Sequence, residues 1–564
     1  MPQKSAKPNH KPLPAPVKWA AGLLCTIFGV CALVYYWRVF YSYGQYPFAH
    51  IPAVPLTAIL CGVAVVGWGV AYLLHCKVKS FSAKAAAAVF CVGLLFAFIN
   101  PPLQAPDEGP HYLRAYAIGT GHFDFDANRT YPADVDALFR TFSIAWTSAH
   151  DGNAIKGRTE GALENPVPAD IVRGECVANH YADYVKLLRG DADAIAIYGE
   201  PDAARIKEPI LFVILPLLPQ ALGIAIAKLL GFGALGCLYA ARVANVAAYA
   251  LLCYFALKNC RRYRPVFTAV MLMPLALFIA GSCSYDGVIL GIYFFAASYY
   301  CKDEITTRDV WLFTAAFAVM CTAKINNLLW IALLLVLPKK AWKTKLKKWQ
   351  TALIAFGCFA ALYAVITGWN IVAMHNYPTI GRMIEGVNQA EQLRFMLANP
   401  LRTAAVFWGT LYENSFFLPG LGSFGNVDLH ITAIGTISVL VLALGAALSV
   451  HEKSSLSPRS AAGLFGLAAV YTASVLAGLY VTYTPVAMVR VIGLQTRYFI
   501  PVILMLLVLL AAMLSHVLAP RFDTHGSEKA QNTCLILCTA FGVISAVLLY
   551  QHYFVGPVAI VPLA

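Results

Sequence analysis

The chain has 564 residues, of which 59% are hydrophobic and 12% are charged, and its mean hydropathy is +0.66. This composition excludes a soluble multidomain protein and indicates an all-α polytopic membrane protein. The formal net charge of +14 does not indicate nucleic-acid binding, because residues 101–207 carry −6 and much of the remaining +20 lies in short loops between apolar segments. Basic loops of this kind are typical of the cytoplasmic side of a membrane.

The apolar segments predict about thirteen transmembrane helices. The first, Trp19–Trp37, is long enough to span, so we expect a retained helix rather than a cleaved signal peptide. The expected spans are 17–39, 51–75, 82–100, 236–258, 264–281, 287–300, 309–322, 326–338, 349–371, 431–450, 460–482, 497–516 and 531–552.

One orientation places all the basic loops in the cytoplasm, with a cytoplasmic N-terminus. It requires that segments 209–231 and 401–418 do not cross the bilayer, and we expect both to be interfacial or re-entrant. Four divisions are predicted. Residues 1–81 form a cytoplasmic N-terminus with an accessory pair of spans, and residues 82–371 form a transmembrane core with an extracytoplasmic loop at 101–235. Residues 372–430 form a second extracytoplasmic segment, and residues 431–564 form the C-terminal transmembrane helices.

Two adjacent carboxylates, Asp107 and Glu108, follow the third span and open the longest polar segment. Charges at a membrane boundary are candidate functional groups because they cost solvation free energy unless they keep water or find partners. On a helix that begins near Gly109, His111 and Arg114 share a face near Asp107, which would suit a phosphate-bearing substrate. A solvated, proline-rich turn or an ordinary salt-bridged helix remains the alternative.

Further polar residues lie at the same outer boundary. Asp286 and Lys324 interrupt apolar runs, and they either tie two helices together as an ion pair or line a cavity. Lys207 ends the long loop and is either a contact for a lipid phosphate or a snorkelling residue. Gln495, Arg497 and Tyr498 open a late span on one face, where Arg497 is either a phosphate or acid partner or a residue of the aromatic belt.

Five motifs in this order resemble the family of bacterial predicted membrane proteins called domain of unknown function 2142, over about residues 85–515. That family looks like a branch of the GT-C superfamily of polytopic glycosyltransferases that use polyprenyl-phosphate sugars. The chain has Thr496 where the family more often has Gly, and spans 17–75 precede the usual start. The motifs are Pro101-Pro102-Leu-Gln-Ala-Pro106-Asp107-Glu108-x-x-His111, Arg242-x-x-Asn245, Pro274 with Ser282-x-Ser284-x-Asp286, Gly422–Asp428, and Gly493-x-Gln495-x-Arg497-Tyr498-x-x-Pro501.

The resemblance implies a GT-C-like fold and a catalytic acid in the first outer loop, which corresponds to Asp107 with Glu108 and His111 in support. We therefore expect a glycosyltransferase of the bacterial cytoplasmic membrane whose active face is extracytoplasmic. Its partners would be a polyprenyl-phosphate-linked sugar donor, an envelope glycan or lipid acceptor, and membrane lipid. A divalent cation, Mg²⁺ or Mn²⁺, is left open as a cofactor. A flippase of lipid-linked glycans and a non-catalytic assembly subunit are the competing hypotheses.

Overall fold

The computed structural model describes residues 81–100, 102–121, 214–260, 262–337, 341–373, 386–413, 420–425, 429–450, 457–518 and 526–554, with isolated positions in 20–31, 78–80 and 132–138. The chain divides into two compact units, Met1–Lys84 and Ala85–Ala564. The expected span 51–75 and Lys207 lie outside the described residues, and of the expected span 17–39 only isolated helical positions are described.

Helices dominate the described chain. In chain order they are α1 Phe81–Ile99, α2 Glu108–Gly119, α3 Ile214–Leu229, α4 Ala234–Asn259, α5 Arg264–Met271, α6 Pro274–Ala280, α7 Tyr285–Ser298, α8 Thr307–Ala323, α9 Leu333–Val336, α10 Lys348–Ala373, α11 Gln389–Ala398, α12 Pro400–Glu413, α13 Thr432–Leu448, α14 Pro458–Thr482, α15 Ile500–Leu518 and α16 Gly526–Phe554. Short 3-10 helices cover Ile325–Ala332 and Thr496–Phe499, and the strands β1 Ser423–Phe424 and β2 Leu429–His430 pair antiparallel.

Six helical segments of the described chain are long and apolar enough to cross a membrane. They correspond to α1, α4, α10, α14, α15 with the preceding 3-10 turn, and α16, and each overlaps an expected span. The prediction of an all-α multi-pass membrane protein is thereby confirmed. The finer prediction of thirteen spans is not, since several of the other described segments are shorter or interrupted.

Several of the expected spans are interrupted or short, and Pro274 explains one of the interruptions. The expected span 264–281 is two helices, α5 and α6, because Pro274 has no N–H to donate and Met273 before it is extended (φ −60°, ψ 133°). The expected span 326–338 is a 3-10 helix followed by the single turn α9. Segments 209–231 and 401–418 contain α3 and α12, of 16 and 14 residues, which are shorter than a full span.

Helix α4 is the central helix of the region that contains the polar residues of the first three motifs. It packs against α3 on one side and α7 on another, while α2 packs on α3. A Cβ added at Gly223 of α3 would lie 2.4 Å from the carbonyl oxygen of Ala240, so only glycine allows α3 and α4 to approach this closely. The loop before α2 and the turn before α7 are thereby brought to one end of α4.

Candidate functional site

Asp107 and Glu108 point into different surroundings. Asp107 is in the left-handed region (φ 58°, ψ 16°) at the N-terminus of α2, a conformation that aspartate tolerates better than most residues. Its side chain is 54% exposed, whereas that of Glu108 is fully buried. The sharp turn therefore gives two adjacent carboxylates two different roles.

Four charged side chains form an alternating ionic chain, which we call the charged cluster: Asp107, Arg497, Asp286 and Lys324. Arg497 Nη2 donates to Asp107 Oδ2 at 2.8 Å, and Arg497 Nε lies 3.5 Å from Asp286 Oδ2. Lys324 Nζ donates to the other oxygen of Asp286 at 2.8 Å. The structure thus brings together charges that the sequence separates by up to 390 positions.

Aromatic rings surround the cationic end of this cluster. Lys324 Nζ lies 4.8 Å from the ring centre of Tyr498 and 5.6 Å from that of Tyr285, both within cation–π range. The Arg497 guanidinium lies 5.2 Å from the Tyr498 ring. These rings hold the two cations in place and shield them on one side from water.

The electrostatic environment keeps the acids ionised. Burial raises the pKa of Asp286, but the charges of Lys324 and Arg497 outweigh it and lower the pKa overall. In Asp107 the effect of burial is likewise outweighed, by the charge and hydrogen bond of Arg497, so its pKa is also lowered. Burial lowers the pKa of Lys324, yet Asp286 more than compensates and the net shift is upward.

His111 is buried beside the cluster rather than facing the solvent. Its Nδ1 lies 3.0 Å from Ser284 Oγ, and its ring packs on Tyr285 with centres 4.4 Å apart. Burial, followed by the nearby charge of Arg114, lowers the pKa of His111 to about 3, although Asp286 and Asp107 oppose this. The imidazole is therefore neutral at physiological pH, and Arg114 is half-buried next to it.

Glu108 forms a buried ion pair with Arg242 of α4. Arg242 Nε and Nη2 donate to its two carboxylate oxygens at 2.8 and 2.7 Å, and both side chains are 0% exposed. Glu108 Oε1 also accepts from the Cys283 N–H at 2.7 Å. Arg242 Nη1 further donates to the carbonyls of Ala97 and Asn100 at 2.8 and 2.6 Å. With both oxygens engaged in the interior, Glu108 is placed to hold the fold rather than to meet an acceptor.

One turn further along α4, Asn245 secures the turn before Asp286. Its Nδ2 donates to three carbonyls of that turn, and its Oδ1 accepts from Gln220 Nε2 at 2.8 Å. The three carbonyls are those of Ala280 at 3.0 Å, Ser282 at 2.8 Å and Ser284 at 3.1 Å. The motif Arg242-x-x-Asn245 was visible in the sequence, but nothing in it revealed that one residue fixes the Asp107 loop and the other the Asp286 turn.

A cavity of about 370 Å³ opens beside the cluster, between α7, the 3-10 helix Ile325–Ala332, α14 and the start of α15. Asp286, Lys324 and Arg497 form its charged part, whereas Asp107 does not line it. Aromatic residues not singled out from the sequence form the inner wall; Trp330 packs on Tyr471 and Tyr293 with ring centres 4.5 and 4.6 Å apart. They are recognisable only once the helices that carry them are in contact.

Gln495 and Tyr498 face different cavities, so the shared face expected from the sequence is not found. Tyr498 lines the large cavity. Gln495 lines a second space of about 20 Å³, together with Pro106 and the glycine-rich turn that begins at Gly420. Arg497 lines both and is the link between them.

The expected divalent-cation ligands are not arranged as a metal site. Asp107 is directed to Arg497, Glu108 to Arg242 and His111 to Ser284. Across the described residues, no group of three or more His, Cys, Asp and Glu side chains is placed to hold a metal ion.

Fold and site together define a multi-pass, all-α membrane protein with an ionic cluster at one end of an apolar cavity. The chain belongs to the predicted membrane protein family DUF2142, whose model matches residues 90–507. No curated protein and no solved structure matches it. The family resemblance drawn from the five motifs is confirmed, while the relation to the GT-C superfamily stays a prediction.

Proposed function

We propose that this protein is a glycosyltransferase of the bacterial cytoplasmic membrane. It would move a sugar from a polyprenyl-phosphate donor to a hydroxyl of an envelope glycan or lipid on the periplasmic face. The observation that carries the proposal is the charged cluster, in which two cations lie at the edge of an apolar, aromatic-lined cavity and one half-exposed carboxylate lies next to them. A polyprenyl-phosphate donor likewise combines an anionic phosphate with an apolar isoprenoid tail.

The two cations suit the phosphate. Arg497 presents a planar guanidinium that can bind phosphate oxygens in pairs, and Lys324 adds a second positive charge. Both are held by Asp286, so they remain in position when the cavity is empty of donor. A cavity of about 370 Å³ is at the small end of ligand sites, so it would enclose only the part of the donor next to the phosphate, and the rest of the chain would lie in lipid.

Asp107 suits the role of base. As the acceptor oxygen attacks the anomeric carbon, the acceptor proton passes to an oxygen of Asp107. The bond from the anomeric carbon to the phosphate oxygen breaks, and polyprenyl phosphate leaves with the electron pair. Arg497 and Lys324 stabilise the negative charge of the leaving phosphate. A single base opposite the leaving group favours one displacement with inversion.

Arg497 links the two halves of this mechanism. It lowers the pKa of Asp107, which keeps the carboxylate ionised but makes it a weaker base. A donor phosphate that draws the guanidinium away would release Asp107 and raise its basicity. The base would then become fully effective only when donor is bound, which protects the enzyme from unproductive proton transfer.

The experiment is complementation of a deletion strain, followed by mass spectrometry of its envelope glycans. Asp107→Asn removes the base, and we expect glycan formation to fall about 10²–10⁴-fold, the usual contribution of a positioned general base. Asp303→Asn is the matched control, since it makes the same Asp-to-Asn change at a residue that is 43% exposed and lies in the loop between α7 and α8; it should restore the wild-type glycan. Immunoblotting checks that all variants are present at equal levels.

Full restoration by Asp107→Asn would contradict a catalytic role. Lipid-linked glycan that accumulates on the cytoplasmic side in the deletion strain would favour a flippase. Loss of the glycan in the deletion strain together with its full restoration by Asp107→Asn would favour a non-catalytic assembly subunit.

A further inference from the structure

Helices α11 and α12 form a hairpin that is bent at Asn399, directly before Pro400. Asn399 leaves the helical region (φ −130°, ψ 60°), and the proline after it begins α12. Both ends of the hairpin are attached to the short loop that follows α14. The attachments are Val486 N–H to Gly386 O at 3.0 Å, Ala487 N–H to Gln392 Oε1 at 2.8 Å and Val491 N–H to Thr410 Oγ1 at 2.9 Å.

These attachments decide on which side of a membrane the hairpin ends lie. Residues 486 and 491 are separated by at most about 18 Å even in a fully extended chain. The hydrocarbon core of a bilayer is about 30 Å thick. The two ends of the hairpin therefore lie on the same side, and segment 386–413 does not cross the bilayer.

The two faces of α12 differ sharply. Val406 and Thr410 are buried and face α14 and the loop, in a cluster with Leu476, Tyr480 and Val491. The opposite face is apolar but exposed: Leu401 is 86%, Trp408 73% and Tyr412 79% accessible. These three positions are spaced seven and four residues apart, so they form one stripe along the helix.

The bend carries both apolar and cationic side chains. Leu397 is 76% exposed just before the bend, and the exposed Arg394 and Arg402 lie five residues before Asn399 and three residues after it. Two arginines in the middle of a bilayer would lose the water that hydrates their charges, and this cost argues against deep insertion. Leucine, tryptophan and arginine side by side are instead typical of helices that lie in the interface of a membrane.

We propose that this hairpin lies in the lipid leaflet around α14 as a shallow anchor. Leu397, Leu401 and Trp408 would enter the outermost acyl region, while Arg394 and Arg402 bind the phosphates of anionic lipids. Lipid is the occupant that the structure favours, because the hairpin packs against Leu476 and Tyr480 of α14, itself a candidate membrane span, and its exposed apolar stripe is flanked by arginines. This inference depends on the protein being a membrane protein and not on the proposed sugar transfer.

The hairpin is also connected to the charged cluster, through the loop that follows α14. The loop that the hairpin holds runs from Thr484 to Ile492, and the chain then enters the turn that contains Arg497. Tyr480 Oη donates to the Met488 carbonyl at 2.8 Å and ties the same loop to α14. The depth of the hairpin in the leaflet would therefore set the position of the backbone leading to Arg497.

The test places a genetically encoded diazirine residue at Leu401, or in a second variant at Trp408, in full-length protein in nanodiscs of four parts phosphatidylcholine to one part phosphatidylglycerol. After illumination, mass spectrometry identifies the adducts. We expect lipid adducts at both positions at least tenfold above those at Glu391, an exposed control on α11. Adducts of water or protein alone at both positions would overturn the proposal.

A second measurement tests the arginines. With the native arginines, phosphatidylglycerol should make up at least twice its bulk fraction among the lipid adducts at Leu401. In Arg394→Gln/Arg402→Gln, its share should return to the bulk fraction while total lipid adducts persist. An equal share in both proteins would refute headgroup binding and with it the proposed orientation of the hairpin.

Discussion

Asp107 and Glu108 are neighbours in sequence, yet only one of them is accessible to a substrate. The sequence predicts both at a membrane boundary, because charges there are costly. What separates them is Arg242, which lies 134 positions from Glu108 and occupies both of its oxygens. A partner so distant in the chain cannot be assigned from spacing, whereas the turn that places Asp107 at the surface could be expected from the prolines around it.

Glu108→Gln tests this division of roles. The amide can still accept from Cys283, but it leaves the charge of Arg242 buried and unpaired, which typically costs about 3–5 kcal/mol. We expect a clearly lowered Tm by thermal unfolding in nanodiscs. Asp303→Asn serves as the control and should leave the Tm unchanged. A Tm for Glu108→Gln equal to that of wild type would mean that the buried pair does not hold the fold.

Because His111 is buried in its neutral form, we expect the stability of the protein to decrease on acidification. Its pKa is lowered to about 3 in the folded protein against about 6.5 when unfolded, so below pH 6.5 the unfolded state binds the proton and the folded state does not. Stability is then fully present above pH 6.5 and is lost as the pH falls from there towards 3. Between pH 7.5 and 5 this loss amounts to about 2 kcal/mol.

The measurement is the Tm at pH 7.5 and pH 5 for wild type and for His111→Asn, which does not titrate but can still hydrogen-bond to Ser284. The variant should lose less stability on acidification. Asp107 and Asp286 do not obscure the result, because the stability that their lowered pKa values contribute is lost only below about pH 3.9. The same decrease in both proteins would show that His111 is not the titrating group.

Among the helices, the long apolar ones were predictable from the sequence, whereas breaks within the expected spans were harder to predict. The expected span 236–258 is α4, Ala234–Asn259, and 460–482 is α14, Pro458–Thr482, because length and hydropathy alone determine such helices. Pro274 inside 264–281 is a known helix breaker, but membrane helices tolerate proline, so its effect depends on packing. The 3-10 helix at Ile325–Ala332 had no comparable signal.

The contact between the glycine-rich turn and the 3-10 turn before α15 can be tested by substitution. A Cβ added at Gly420 would lie 1.9 Å from Thr496 Oγ1 and 3.0 Å from Thr496 Cβ, so Gly420→Ala forces Thr496 to move beside Arg497. Overpacking of this kind costs about 1–3 kcal/mol. We expect a lower Tm for Gly420→Ala and recovery in Gly420→Ala/Thr496→Gly.

Gly357→Ala is the control for that pair, because among the described residues no atom outside the neighbouring backbone of α10 lies within 4 Å of a Cβ added at Gly357. It should not lower the Tm, since alanine favours a helix over glycine. If Thr496→Gly fails to rescue Gly420→Ala, the turn and the residue before Arg497 are not in the contact described.

For the whole molecule, composition was sufficient to predict a multi-pass membrane protein, and five ordered motifs were sufficient to predict the family. The arrangement of the motifs was not predictable. Five of their side chains, Asp107, Glu108, Arg242, Asp286 and Arg497, take part in two ionic networks that meet at the turn before α7. Such pairing depends on how helices pack, which sequence periodicity does not encode.

In the proposed mechanism, Arg497 and Lys324 bind the donor and Asp107 takes the proton of the acceptor. Native mass spectrometry of protein purified in nanodiscs separates the two roles directly. We predict that Asp107→Asn retains a bound polyprenyl-phosphate sugar, whose mass identifies the sugar, because both cations and the cavity remain. Arg497→Gln should lose that adduct. Equal retention in both variants, or a bound lipid without phosphate, would contradict the binding of a polyprenyl-phosphate donor by Arg497.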